Sequence, residues 1–450
     1  MKKLIVLLLT LLMITAVLTA CNGDDESSTS DESATKTSAQ KSAATSDSPT
    51  TAAATESAKT SANTSGSKLT QPSEVTTTAN VTSNGAIDAT DLFSDRDLRQ
   101  TADLSEAVDY DLSDNSDITI GKEGVYVISG AASNASIIID AGDNDKVQLV
   151  LNGASITNSS APAIYVKNAD KVFLTTVEGT TTALTVSGTF SADGDTNTDA
   201  VIFAKDDVVL NGLGALNIQS TDNGISGKDD VKITGGTINI TATSDAIEAN
   251  ESIAIADGTV TIKTNKDGMH AENDEDNATG YIYICGGTFN ITADSDGIRA
   301  TTIAQIDGGS FTIDSSEGVE STWVQINGGT LTINASDDGI NATSKSTSQS
   351  VKIEINGGDI TVNMGQGDTD GLDSNGDLYI NGGKLNVNAN SPFDYDGKGE
   401  LNGGTVYVNG EQTNELTNQM MGGGPGGMDG GMGGDPNMGG APNDNGGFNR

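Results

Sequence analysis

The chain has 450 residues, enough for one long core, and carries 63 Asp plus Glu against 23 Lys plus Arg, a net charge of −40 at pH 7. Such a surface repels nucleic acid and anionic lipid headgroups and favours cations, so a phosphate-backbone partner is excluded. One Trp, eight Tyr and eight Phe leave few aromatic platforms, and two Cys give no expectation of a structural disulfide.

In chain order, Lys2 and Lys3 precede an apolar run from Leu4 to Val17, followed by Leu18-Thr19-Ala20-Cys21. This pattern resembles the lipobox of bacterial lipoproteins, which implies a signal peptide at 1–20, cleavage before Cys21 and lipidation of its thiol. The expected location is extracytoplasmic, with the membrane touched only through that lipid. An uncleaved anchor is the alternative, although the run is short for a span. Residues 21–84 are Ser, Thr, Ala and Asp with almost no large apolar side chain, too little to fold. They read as a tether with an r.m.s. reach of about 45 Å. Residues 85–117 are mixed and polar and read as a cap leading into the first repeat.

From 118 to 410 one phrase recurs. Val231-Lys-Ile-Thr-Gly-Gly-Thr-Ile-Asn-Ile is echoed by Ile282-Tyr-Ile-Cys-Gly-Gly-Thr-Phe-Asn-Ile and Val324-Gln-Ile-Asn-Gly-Gly-Thr-Leu-Thr-Ile, then by copies from Ile353 and Leu378. Apolar side chains alternate on both sides of a Gly-Gly corner, the signature of two short strands with one face buried. A second phrase lies between the copies: Asp245-Ala-Ile, Asp267-Gly-Met, Asp296-Gly-Ile, Glu317-Gly-Val, Asp338-Gly-Ile and Asp370-Gly-Leu, with Asp222-Asn-Gly-Ile before them. It supplies another corner and a third strand. Three strands per repeat, at solenoid spacing, predict an all-β, right-handed, single-stranded parallel β-helix of about eleven rungs. Residues 411–450 are rich in Gly and Met without periodicity and read as a disordered tail.

Stacked rungs turn sequence columns into ladders. One column holds the corner acids, from Asp222 through Asp370. Another reads Ser226, Glu248, His270, Arg299, Glu320, Asn341, Asp373. Asp before Gly commonly accepts turn N–H groups, which alone explains the recurrence. Additional oxygens point further, towards calcium. Asp193, Asp195, Asn197 and Asp199 alternate as in the first half of an EF-hand loop, without its Gly and distal Glu. Asp368, Asp370 and Asp373 form a second oxygen-rich stretch, and Asp294 with Asp296 a third, beside the insertion Glu272 to Asn277. Solvated acidic loops are the plain alternative for each. His270 reads as one more exposed rung residue, and Cys285 as a small group in the turn stack.

The Ile-x-Gly-Gly-x-Ile and Asp-Gly-Ile rungs, the Ser/Thr tether and the Gly/Met tail together resemble the secreted, pectate-lyase-like β-helix proteins of anaerobic and Gram-positive bacteria that carry carbohydrate-binding domains. The resemblance implies calcium-dependent, non-catalytic binding of an extracellular polysaccharide, including acidic polymers such as polygalacturonate. An anionic protein accepts an anionic glycan once Ca2+ bridges carboxylate to carboxylate. Arg299, Glu320, Tyr283 and Tyr379 are the candidate glycan contacts. Two alternatives stand beside this reading. A polysaccharide lyase would use Arg299, the only Arg of the repeats, or Lys266 as its base. A surface adhesin or spacer would bind a protein partner. A monomer is expected.

Overall fold

The computed structural model describes residues 69–80, 85–273, 275–365 and 369–418. Cys21, Asp274, Asp368, the segment 1–20 and most of the 21–84 and 411–450 segments therefore lie outside the described residues. Among the described residues there is no helix; strands form three sheets of 13, 13 and 12 members. Consecutive strands visit the three sheets in turn, and each pairs in parallel with the strand one circuit later. This is the parallel β-helix the repeats predict. It holds more circuits than about eleven because the weakly patterned stretches at both ends also pair: Val108–Asp111 lies on Gly124–Ser129, and Ser391–Tyr395 on Asp370–Ser374.

The register follows the phrases. In the first sheet Val231, Ile253, Ile282, Ala304, Val324, Ile353 and Leu378 stack in one column. In the second, Ile238, Val260, Phe289, Phe311, Leu331, Ile360 and Leu385 do so. In the third, the column is Ile225, Ile247, Met269, Ile298, Val319, Ile340, Leu372 and Phe393. All belong to one buried cluster filling the interior. Each fully buried Ile or Leu contributes about 1.5–3 kcal/mol relative to exposure, and β-branched side chains suit the pleat. Phe289 and Phe311 stack face to face at 4.5 Å.

The Gly-Gly corner needs each glycine for a different reason. A Cβ on Gly328 would lie 2.5 Å from the Asp307 carbonyl oxygen one rung below, whereas Gly329 has φ +91°, a conformation that L side chains rarely adopt. The Asn before the later corners forms a polar ladder: Asn356 Nδ2 donates to Asn327 Oδ1 at 2.8 Å, and Asn381 to Asn356 at 2.8 Å.

Residues 85–107 do not cap the end of the solenoid; they lie along the outer face of the first sheet. Gln305 and Gln325 accept hydrogen bonds from the backbone N–H groups of Ile87 and Ala86 at 2.7 and 2.8 Å. Lower down, Gln100 accepts from Gly212 N–H at 2.8 Å and donates to the Thr234 carbonyl at 3.0 Å. Leu104 and Ala107 pack near Val127 and Val150. Part of the expected tether joins this strap: Gln100 N–H donates to the Val75 carbonyl at 2.7 Å, and Thr76 pairs antiparallel with Arg99. Ordered structure thus begins before residue 85, because Leu69 and Ala79 reach apolar surface that the polar composition of the segment hides. Beyond 410, Glu411–Thr413 adds one antiparallel strand to Thr405–Val408.

Candidate functional site

The third sheet carries the chemistry. Its outward ladder reads Tyr165, Phe203, Ser226, Glu248, His270, Arg299, Glu320, Asn341, Asp373 and Asp394, the expected column extended at both ends. The corner column beside it holds Asp245, Asp267, Asp296, Glu317, Asp338 and Asp370. At its start the register places Asn223, not Asp222, because that copy of the phrase is one residue longer.

The corner carboxylates cap the rung above them. Asp245 Oδ1 accepts from Asp267 N–H and Asp267 Oδ1 from Asp296 N–H, both at 3.0 Å, and Asn223 Oδ1 accepts from Asp245 N–H at 2.9 Å. In Asp245 and Asp267 one carboxyl oxygen is thereby fixed by backbone, and the other turns to side chains of the outward ladder and its neighbours. Asp267 is 0% exposed, and its Oδ2 has no hydrogen bond; its neighbours are Arg299 Nη1 and His270 Nδ1, both at 3.6 Å.

Two groups of ligand-bearing side chains gather here, each with its oxygen or nitrogen atoms within 4.8 Å: Asp245, Asp267 and His270, and Asp296, Glu317 and Glu320. The first is already compensated. Lys266 Nζ lies 2.7 Å from Asp245 Oδ2, and His270 sits between Asp245 and Glu272, at 3.4 and 2.8 Å. Burial opposes charge on His270, but the Asp245 and Asp267 carboxylates outweigh it and raise its pKa. His270 is thus a buried, cation-holding group at the centre of the site rather than an exposed rung residue. Its place between Glu248 and Arg299, with Asp245 and Asp267 on flanking corners, was the available signal.

The second group is oxygen-only and under-compensated. Arg299 Nε lies 3.9 Å from Asp296 Oδ2 and 3.6 Å from Glu320 Oε2, while Lys345 reaches Glu320 Oε2 at 2.8 Å. Asn341 Nδ2 donates to Glu317 Oε2 at 3.0 Å. Burial, then the charges of Asp267, Glu320 and Glu317, push Asp296 up to about 8. Burial and Glu320 push Glu317 to about 7, and the next rungs continue the pattern: burial with Asp373 raises Asp338 to about 7, and burial with Asp370 raises Asp373 to about 7. Carboxyls that cannot all ionise together are what a divalent cation relieves. Three converging carboxylates suit calcium, an oxygen-seeking cation that takes six to eight ligands and can draw the remainder from water or a bound carboxylate. Glu317 and Lys345 were not singled out from the sequence. Glu317 was legible as a ladder member; Lys345 arrives from an irregular loop with no repeat pattern.

The other expected calcium ligands are not brought together. In the 193–199 loop Asp193 Oδ2 is taken by Lys167 Nζ at 2.7 Å and the Tyr165 hydroxyl at 3.2 Å. Asn197 turns its Nδ2, a donor, towards Asp199 Oδ2 at 2.7 Å, and Asp195 is exposed. Asp193 Oδ2 and Asp199 Oδ2 are thus spent on neighbouring side chains. Asp294 is exposed at the end of a second-sheet strand, apart from Asp296, because the corner intervenes. Asp370 and Asp373 stand on the third sheet beside Asp338.

The expected glycan contacts divide between two faces. Arg299 and Glu320 are adjacent on the third sheet. Tyr283 is on the first sheet, 0% exposed beneath the strap, with its hydroxyl donating to Asp307 Oδ2 at 2.7 Å, so it is not the exposed aromatic the sequence suggested. Phe93 of the strap packs 6.4 Å from its ring. Tyr379, also on the first sheet, is half-buried and donates to Asp377 Oδ2 at 2.7 Å.

A family model described as carbohydrate-binding domain-containing protein matches residues 114–368 and 314–415. The chain belongs to that family. A carbohydrate-binding domain-containing protein of Acetivibrio thermocellus is 34% identical over 123 residues, 27% of this chain and 43% of the relative, so the match spans less than half of that protein. A solved structure described as the polysaccharide lyase-like protein from C. thermocellum, a gadolinium derivative, aligns at 26% identity over 47% of this chain and 96% of its own, with a TM-score of 0.42. In this member of the carbohydrate-binding domain family, both candidate lyase bases are ion-paired: Arg299 to Asp267 and Glu320, Lys266 to Asp245. Burial alone would lower their pKa values, yet the neighbouring carboxylates raise both, favouring the protonated, non-basic forms.

Proposed function

We propose that this protein binds an acidic, pectin-like polysaccharide along the third-sheet groove, without cleaving it, and that calcium held by Asp296, Glu317 and Glu320 assists. The observation that supports the reading is the buried, oxygen-only group at 4.8 Å, whose carboxyls crowd one another enough to lift Asp296 to about 8. Calcium bound there would neutralise those charges and offer coordination positions to a uronate carboxylate. The protein's own side chains do the rest. Arg299 and Lys345 hold Glu320 in place, Asn341 orients Glu317, and Asp267 holds the backbone N–H of Asp296. The ladder repeats along the solenoid axis at about 4.8 Å per rung, so the groove suits an extended polymer better than a small compact ligand. The same reading places the protein outside the cytoplasmic membrane, held by a lipid on Cys21. Isothermal titration of the protein with polygalacturonate, first with calcium and then with chelator, tests the binding. Affinity that falls at least tenfold with chelator, and equally in Glu317→Gln, is expected. Equal binding with and without calcium would remove the metal from the reading, and release of unsaturated uronate products would replace binding by lysis.

A further inference from the structure

Away from the carboxylate group, the same face carries cations that the reading above does not use. Tyr165 and Phe203 precede Ser226 in the outward ladder, and the register position two residues further along successive rungs holds Lys167, Lys205 and Lys228. Their fates differ. Lys167 is discharged onto Asp193 at 2.7 Å. Lys228 lies 3.9 Å from Glu248 Oε1, but Glu248 already accepts from Asn223 Nδ2 at 2.7 Å and Ser226 Oγ at 3.2 Å through its other oxygen. Lys205 makes no ion pair among the described residues.

Lys205 and Lys228 line one cavity of 480 Å3 with Phe203, Asp195, Thr196, Asn197 and Asp199. Lys228 Nζ stands 5.6 Å from the centroid of the Phe203 ring, which itself packs edge-on against Tyr165 at 5.7 Å. The ring quadrupole attracts the ammonium and favours this position of Lys228 over the Phe203 ring. Lys228 also lines a second cavity of 500 Å3, which Glu248, His270 and Glu272 share, and His270 stands one rung from Arg299. Lys205 and Lys228 start from adjacent rungs, whose backbones lie about 4.8 Å apart, and two ammonium groups on the wall of one cavity repel each other at a cost. An anion between them removes that cost. The exposed Asp195 on the rim can accept a sugar hydroxyl, which separates a sugar acid from a bare anion, whereas Asp199 Oδ2 is taken by Asn197 Nδ2 at 2.7 Å.

We propose that Lys205 and Lys228 form a second, calcium-independent subsite for the carboxylate of a uronate sugar. It lies three to five rungs, about 15–25 Å, from the Arg299 and Glu320 rungs along the same face. This rests on the acidic-glycan reading and adds polarity to it: one polymer is held by lysines at one end of the groove and by the carboxylate group at the other.

Oligogalacturonate titrated into the protein in chelator reads the subsite alone, and the same titration in calcium reads both. Wild type is expected to keep a weaker, salt-sensitive affinity in chelator. Lys205→Ala with Lys228→Ala should reduce it by about tenfold or more while leaving most of the calcium-dependent gain. Lys205→Arg with Lys228→Arg should retain it, as should Lys384→Ala, a lysine on the second sheet. Methyl-esterified oligomer should lose it. Binding in calcium but none in chelator, or equal chelator-resistant binding by the double alanine variant, overturns the lysine subsite and leaves the calcium reading standing. No binding in either condition overturns both.

Discussion

At the scale of single residues, the corner acid serves two masters, and Asp267 shows how they separate. Its Oδ1 accepts the N–H of Asp296 at 3.0 Å, while its Oδ2 faces Arg299 and His270 without a hydrogen bond. Asp267→Ala leaves that buried N–H unsatisfied, which costs about 1–3 kcal/mol. Asp267→Asn keeps an oxygen acceptor and removes one of the charges that crowd Asp296, so it should cost less. Urea unfolding in chelator measures both, and an Asn variant no more stable than the Ala variant would mean the cap is not what the residue supplies. This division also explains what the sequence could show. The recurrence of Asp before Gly was visible, and the outward column from Ser226 to Asp373 follows because a fixed repeat fixes register. Which acids converge was not visible: Asp193 and Asp294 have the same composition around them as Asp296, and only the corner path separates them. Lys345 was illegible because it belongs to an insertion outside the repeat.

At the scale of elements, the strap explains why one sheet face is unavailable. The alternation of the first sheet places Tyr283 outward, so the sequence alone read it as exposed; that reading assumed solvent on that side. The preceding segment covers it instead, bringing Phe93 and Leu92 onto Tyr283, Cys285 and Ala256. A polar segment hides this role because its apolar residues are scattered and its backbone donates to Gln305 and Gln325 while its own Gln100 bonds to the sheet, so no apolar run marks it. Cys285 reports on the strap. It is buried, and burial pushes its thiol up to about 11, so the reactive thiolate is scarce at neutral pH. A chain beginning at residue 108 should keep its strand circular dichroism but expose Cys285 to a thiol reagent, with labelling at least tenfold faster than in the full protein. Labelling at the unchanged slow rate in a folded truncated chain would show that the sheet itself, not the strap, protects the thiol.

At the scale of the whole molecule, charge decides how stability depends on pH. Asp296 titrates at about 8 and Glu317, Asp338 and Asp373 at about 7, whereas the unfolded chain would protonate such groups near about 4. Between those limits the folded protein binds more protons than the unfolded one, so stability falls as pH rises from about 4 towards 8. His270, with its raised pKa, acts in the same direction: its ion pairs contribute fully below about 6.5 and are lost as pH rises through the folded value. Both effects make the cation-free protein less stable at pH 8 than at pH 5.5, the reverse of what carboxylates stabilised by salt bridges produce. Calcium reverses the ordering for the carboxyl part, since a ligand that binds only the folded, deprotonated group stabilises by RT ln(1 + [L]/Kd). Thermal melts at the two pH values, in chelator and in millimolar calcium, separate the contributions. The melting temperature in chelator should drop by several degrees from pH 5.5 to 8, and calcium should raise it mainly at pH 8. In Glu317→Gln the drop in chelator should shrink together with the calcium response, because one side chain carries part of both. A drop that persists undiminished in that variant would place the titrating groups elsewhere on a surface of net charge −40.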